Sequence, residues 1–384
     1  MGRRDGVEPV APREKLHPMI MHSRRRFLGR LGSAPLALAT GLPRSTQAAP
    51  ADAIPTGSTP AGASTLRLDF HVHLFGIGDG GTGCRFSEVQ RRHVNYFYLT
   101  KLLGLSQNGR IDQDYVATLA QTVRKSSIQK VLLQAWDCRY DEAGQPDWVR
   151  TTSLYVPNEY LFRVVREHPD VFLPCASINP KRRDWKDEVD RCADLGARMV
   201  KVHPPTMDVD PHEPRFRPFY RHCAARRMIL MFHTGAEHAA DIVNTEICDV
   251  ARLEPALEEG CTVVAAHAGM GAFFDRVDYF PALVQLARRH PRLYFDNSVL
   301  AAMFRWRNLP RILETPEIIG RAIHGSDYPF PANAAVFWSR LPPATVASLL
   351  EERNLIERDY QLKRALGFPD AVFTRGAELV SRSS

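Results

Sequence analysis

Asp69-Phe70-His71-Val72-His73 closes the first strongly apolar run of the part of the chain expected to fold, which begins at Leu66. Successive side chains of a strand point to opposite faces, so His71 and His73 share a face, with Asp69 behind them. Two imidazoles side by side form a chelate for a metal ion. Left without partners on the inner face of a buried strand, such polar groups cost about 1–3 kcal/mol each. The alternative is a strand end whose two rings face water, and the rest of the chain has to decide.

Outward from that strand, apolar runs and helix-period segments alternate. Helices are expected over 112–125, 158–168, 184–195, 217–226, 247–258 and 280–290, with a helical stretch from Pro310. The strands at 66–73, 130–136, 172–178, 199–203, 228–233, 262–267, 293–297 and 321–326 make eight. Such alternation gives a parallel sheet, and eight units are the number that closes a (β/α)8 TIM barrel. A doubly wound open sheet is the competing architecture.

The strand ends choose between them. The fifth strand ends in Met231-Phe232-His233-Thr234-Gly235, the sixth in Ala265-Ala266-His267-Ala268-Gly269, the eighth in His324-Gly325-Ser326-Asp327-Tyr328-Pro329. Each polar residue stands where an apolar strand gives way to a Gly or Pro turn. In a barrel the C-terminal strand ends meet at one face, where active sites are built. His71, His73, His233, His267 and Asp327 would then converge, whereas an open sheet would leave the first and last strands far apart. The expected fold is therefore α/β, a single-domain (β/α)8 TIM barrel over residues 66–378.

This set of strand ends resembles the amidohydrolase superfamily. The wording Gly325-Ser326-Asp327-Tyr328-Pro329-Phe330-Pro331, with His267-Ala268-Gly269, is similar to its branch of aminocarboxymuconate semialdehyde decarboxylase, aromatic acid decarboxylases and lactonases. The resemblance implies that His71, His73, His233 and Asp327 hold one divalent metal ion, zinc or manganese, and that Asp327 and His267 are catalytic. It implies a metal-activated hydroxide, with Asp327 as general base and His267 orienting the water or polarising a carbonyl. Lys201 is where binuclear members carry a bridging carboxylated lysine. In this branch one metal is expected, with Lys201 or His203 near substrate. Asn297, closing the seventh strand, is a further substrate candidate, although turn formation explains it equally well.

The expected activity is hydrolysis of an ester, lactone or amide bond in a small, carboxylated substrate. Non-oxidative decarboxylation on the same site is the first alternative, and a non-catalytic periplasmic metal- or ligand-binding protein the second. The glycine-rich stretch from Gly76 and the irregular sequence to Arg110 read as a long, flexible binding loop over the first strand end. Arg85 could meet an anionic substrate there, although a solvated arginine is the plainer reading.

The first 65 residues differ from the rest. Ser23-Arg24-Arg25-Arg26-Phe27-Leu28, an apolar run from Leu31 to Leu42 and Gln47-Ala48-Ala49 resemble a twin-arginine export signal. Residues 1–48 are read as the signal peptide, with cleavage after Ala48, and 49–65 as a flexible linker. The apolar run is too short and too broken to be a lasting membrane span. Export to the periplasm, with the twin-arginine machinery as partner, follows. Residues 1–50 hold nine of the 50 Lys/Arg and three of the 43 Asp/Glu, so nearly all of the +7 formal charge is leader. Nothing in the remainder calls for a nucleic-acid partner. Seven scattered cysteines with no Cys-x-x-Cys pair read as small buried hydrophobes, as suits a protein exported already folded from a reducing compartment. The sequence leaves a homo-oligomer open.

Overall fold

The alternating apolar runs fold into eight parallel strands: β1 (Leu68–His73), β2 (Lys130–Gln134), β3 (Phe172–Ser177), β4 (Met199–Val202), β5 (Ile229–Phe232), β6 (Thr262–Ala265), β7 (Leu293–Asp296) and β8 (Ala322–Ile323). This computed structural model describes residues 65–105 and 109–383. The expected signal peptide, and the linker apart from Thr65, lie outside the described residues.

Each strand pairs in parallel with the next, so the order in the sheet is the order in the chain. The barrel closes between the last strand and the first: Phe70 N donates to His324 O (2.9 Å), Asp327 N to His71 O (2.9 Å) and His73 N to Tyr328 O (3.2 Å). β8 is short because the chain leaves the ladder at Gly325 to reach across to β1. Gly325 is required there, since a Cβ would lie 2.8 Å from the His71 Cβ. Inward residues Leu132, Cys175, Met199, Ile229, Met231 and Val264 fill the barrel below the histidines. Outward residues such as Val200, Val202, Leu230 and Phe232 pack on the surrounding helices.

Those helices are α1 (Ile111–Arg124), α2 (Asn158–Glu167), α3 (Trp185–Asp194), α4 (Arg217–Ala225), α5 (Glu254–Glu258), α6 (Phe280–Arg289), α7 (Leu309–Leu313), α8 (Pro343–Glu351), α9 (Leu355–Ala365) and α10 (Asp370–Arg382). α10 packs on β1 and β8 and runs past residue 378. The helix expected over 247–258 is two 3-10 turns followed by the short α5. Asp249 accepts from Ala251 N (2.9 Å) to start the second turn, and Pro255, lacking an N–H, fits only at the first turn of a new helix.

The 76–110 segment carries more structure than a loop. It holds a turn at Asp79–Gly81, a strand Arg85–Phe86 paired antiparallel with Leu154–Tyr155, and helices Glu88–Arg91 and Val94–Leu102. Its start is pinned by two aspartates. Asp112 accepts from Ile77 N (2.6 Å), Gly78 N (3.1 Å) and the Thr82 hydroxyl. Asp79 in turn accepts from Ile111 N (2.6 Å) and Asp112 N (2.9 Å), satisfying free amides at the start of α1. Asp112→Ala leaves two amides and a hydroxyl without an acceptor. We expect a loss of about 2–3 kcal/mol in urea unfolding, with early proteolytic cleavage within 76–105. Parental stability with no new cleavage would show that the aspartate does not hold the segment.

Candidate active site

His71 and His73 in β1 and His203, His233 and His267 just past β4, β5 and β6 stand at one rim of the barrel, and with Trp136 beyond β2 their side chains make a closed circle. Around it run His71, His73, Trp136, His203, His233 and His267, with successive ring centroids 5.1, 5.4, 4.4, 4.2, 4.9 and 5.0 Å apart, the last closing on His71. The circle is the floor of a cavity of about 840 Å³. Above it the walls are mostly apolar, with Phe75, Phe86, Tyr96, Phe274 and Phe304 among them.

On one arc, Asp327 Oδ1 lies 3.3 Å from His71 Nε2 and 3.0 Å from His73 Nε2. Asp327 has φ 64°, the left-handed region that costs most residues energy and that Asp tolerates comparatively well. The backbone reaches this conformation because Asp69 accepts from Ser326 N (2.9 Å) and His71 N (3.1 Å), tying both sides of the barrel seam to one carboxylate. His71 is oriented from behind: its Nδ1 lies 2.8 Å from Asp296 Oδ2. Asp296 also accepts from His267 N (2.8 Å) and Ser298 N (3.1 Å).

On the opposite arc, Glu237 Oε2 lies 3.5 Å from His203 Nε2 and 3.4 Å from His233 Nε2. His267 stands between the arcs, with Nε2 3.2 Å from His233 Nδ1 and Nδ1 2.8 Å from Ser298 Oγ. The ligand-capable atoms of His71, His73 and Asp327 all lie within 4.8 Å of one another, as do those of His203, His233 and Glu237. Lys201 Nζ sits 3.2 Å from His71 Nε2.

Burial sets the charge states. It pushes His71 down to about 3, helped by neighbouring Lys201, and His203 down to about 4. His233 and His267 are likewise depressed by burial. These four imidazoles are therefore neutral at pH 7, and a neutral imidazole carries the free lone pair that a metal ligand needs. Burial alone would raise the carboxyls of Asp327 and Asp296. The imidazoles facing each of them outweigh it and hold both well below the usual carboxylate range. Lys201 is lowered by burial.

The residues singled out from sequence do not all meet at one point. His71, His73 and Asp327 form one group; His233 and His203 belong to the other; Lys201 and His267 touch them. Asn297 faces the seam, where its Oδ1 accepts from Gly325 N (3.2 Å). Arg85 is exposed and stacks on Trp148, with its guanidinium 4.1 Å from the ring centroid. His324, which opens the last of the quoted strand ends, gives its carbonyl to Phe70 N while its ring packs against Phe373. Sequence reading passed over Glu237, Asp296, Ser298 and Trp136. Glu237 follows His233 by one helical turn's spacing and Asp296 adjoins Asn297, but an isolated acid after a strand has no pattern to mark it.

A sequence profile of a protein family described as Amidohydrolase matches residues 69–337. Among solved structures, an uncharacterised TIM-barrel protein from Bordetella bronchiseptica superposes with a TM-score of 0.55 at 16% identity, covering 82% of this chain and 98% of its own. A protein assigned as a 2-pyrone-4,6-dicarboxylic acid hydrolase from Pseudomonas putida gives 0.49 at 16%, covering 83% and 97%. The 5-carboxyvanillate decarboxylase of Sphingomonas paucimobilis gives 0.47 at 12%, covering 83% and 99%. The likeness to the Bordetella protein shows the fold alone. No curated protein matches the sequence significantly.

Proposed function

The chain belongs to the amidohydrolase family, and on that footing we propose that it is a metal-dependent hydrolase cleaving an ester, lactone or amide bond. The observation that carries the reading is the single Asp327 oxygen facing both His71 and His73, at 3.3 and 3.0 Å, on the floor of a deep cavity. Two imidazoles and an ionised carboxylate suit a divalent ion such as zinc or manganese. The second nitrogen of His71 is already committed to Asp296, as expected for a ligating histidine. When bound, such an ion supplies Lewis acidity, making water a better nucleophile near neutral pH and drawing charge from a carbonyl oxygen.

The protein's own groups supply the rest. Asp327, ionised and open to the cavity, takes the proton from the attacking water and returns it to the leaving group. The hydrogen-bond chain assigns the His267 tautomer: Ser298 Oγ donates to Asp296 Oδ1, so it accepts from His267 Nδ1–H. His267 Nε2 is then an acceptor, and its one lone pair takes the N–H of His233 Nδ1, so in this arrangement His267 positions the His233 ring and has no N–H to offer an oxyanion. Lys201 Nζ, 3.2 Å from His71 Nε2, is an N–H donor at the site and is assigned to a substrate carboxylate or to developing negative charge. The aromatic walls suit a substrate with an apolar body and keep bulk water from the floor. The twin-arginine pattern supports export of the folded chain to the periplasm. All seven cysteines are free and buried, in keeping with folding before export.

The test pairs a pH-stat screen of lactones and aryl esters with a carbon dioxide assay on aromatic carboxylates. We expect acid release from an ester or lactone, lost on treatment with a chelator and restored by zinc or manganese. Carbon dioxide release without hydrolysis would establish the decarboxylase alternative, and turnover indifferent to chelation would remove the metal.

A further inference from the structure

The cavity changes character from floor to mouth. The histidines, Asp327 and Lys201 are gathered on the floor, whereas the walls and the rim are largely apolar. We propose that the substrate is a long-armed amphiphile: an ester or lactone whose carbonyl head rests on the floor while an apolar arm of several methylenes runs up the wall and out between two apolar lips. This inference rests on the hydrolytic reading of the floor and adds to it the class of substrate.

Size is the first observation. A cavity of about 840 Å³ lies in the upper part of the range of roughly 300–1,000 Å³ for pockets that take drug-sized ligands. A small ester or lactone seated on the floor would occupy a minor share of it.

The lips are the second. One is the helix Val94–Leu102, whose apolar residues are spread nearly all round, as in a helix covered on every side. Tyr96 packs inward on Phe86 and Phe75, with ring centroids 4.9 and 6.4 Å away. Val94, Tyr98 and Leu102 line the cavity and yet are exposed, Val94 by 72%. The other lip is Phe274, from the loop after β6, with Met303 and Phe304, from the loop after β7. These three also line the cavity and are 57, 51 and 55% exposed. The two loops are tied together, Phe273 N donating to Phe304 O (2.9 Å). Large apolar side chains grouped on both sides of one opening carry a standing cost in water, which an apolar ligand between them removes.

The third observation is that the cations of the wall are already engaged. Apart from the circle and Lys201, the basic side chains that line the cavity are His238, Arg305 and Arg358. His238 pairs with Asp275 (2.9 Å), Arg305 donates to the carbonyls of Met270 (2.8 Å) and Ala236 (2.6 Å), and Arg358 donates to that of Glu352 (2.7 Å). Each holds a loop by these bonds, which suits an arm without charge.

The arm leaves the chemistry as it is. Water adds to the carbonyl carbon, the bond to the alcohol oxygen breaks, and the proton taken from the water ends on that oxygen. What the arm adds is binding, about fourfold for each methylene that leaves water for the wall.

The test is a series of p-nitrophenyl esters, from acetate through butyrate, hexanoate and octanoate to decanoate, on the zinc-loaded full-length protein below their micellar concentrations. kcat/KM should climb by about 100-fold or more from acetate to octanoate, mostly through KM, and level off once the chain end clears the lips. Val94→Ser and Phe304→Ser, both at exposed positions, should cut the octanoate-to-acetate ratio by about tenfold. A ratio near one in the parent overturns the proposal, as does faster turnover of a short ester bearing a second carboxylate than of the octanoate. A flat series from a chain that sediments as a dimer also overturns it, and gives the lips to contact between two copies. If no ester of any length is hydrolysed, the hydrolytic reading fails by itself and the arm is read by calorimetry. Octanoate binding about tenfold or more tightly than butyrate then upholds the amphiphile, and equal affinities overturn it.

Discussion

Asp327→Asn lowers turnover by about 10²–10⁴-fold, the loss expected when a general base is removed, while the protein keeps its fold. Asn is the informative replacement for two reasons. It tolerates the left-handed backbone, at φ 64°, better than Ala or a β-branched residue would, so strain does not confound the result. Its amide oxygen also keeps a neutral ligand atom in the position that faces His73 Nε2, 3.0 Å from the present carboxylate. What Asn cannot do is carry charge or take a proton at neutral pH. The effect should therefore fall on kcat, with an added loss of metal affinity because one anionic ligand is gone. Steady-state kinetics at saturating metal separate these, and a kcat within tenfold of the parent would assign the proton transfer to another group.

The second large effect is on stability. Asp296 is fully buried and its two oxygens serve four donors: the His71 ring, the amides of His267 and Ser298, and the Ser298 hydroxyl. Asp296→Ala removes every acceptor at once, in a place water does not reach. We expect a loss of about 3–5 kcal/mol in denaturant unfolding, the range for breaking a buried charged network. The His71 ring also loses what orients it, so metal affinity at its site should fall by about 10–100-fold even in molecules that fold. A variant unchanged in both respects would mean that Ser298 alone positions the two histidines.

The barrel was legible because its inner and outer faces are both buried. Runs such as Met228 to Phe232 and Val263 to Ala266 are apolar throughout, and the first polar residue after each marks the C-terminal rim. His71, His73 and Asp327 could be grouped for the same reason, since closure of an eight-stranded sheet joins its first and last strands. The sequence was mute where a contact depends on the curvature of the rim. Nothing in His233-Thr234-Gly235-Ala236-Glu237 tells that the glutamate folds back over its own histidine toward β4. Asp296 was overshadowed by Asn297, although alternation along β7 sends the two to opposite sides. The Val94–Leu102 helix went unseen because it is apolar nearly all round, so no helical periodicity stood out.

The central claim is that a divalent cation is held between the first and last strands of the barrel. The most direct measurement is a crystal structure of the zinc-loaded protein with anomalous data collected on both sides of the zinc edge. The account predicts a peak about 2.0–2.2 Å from His71 Nε2, His73 Nε2 and an Asp327 oxygen. No peak among those three, at zinc concentrations that support turnover, would contradict it.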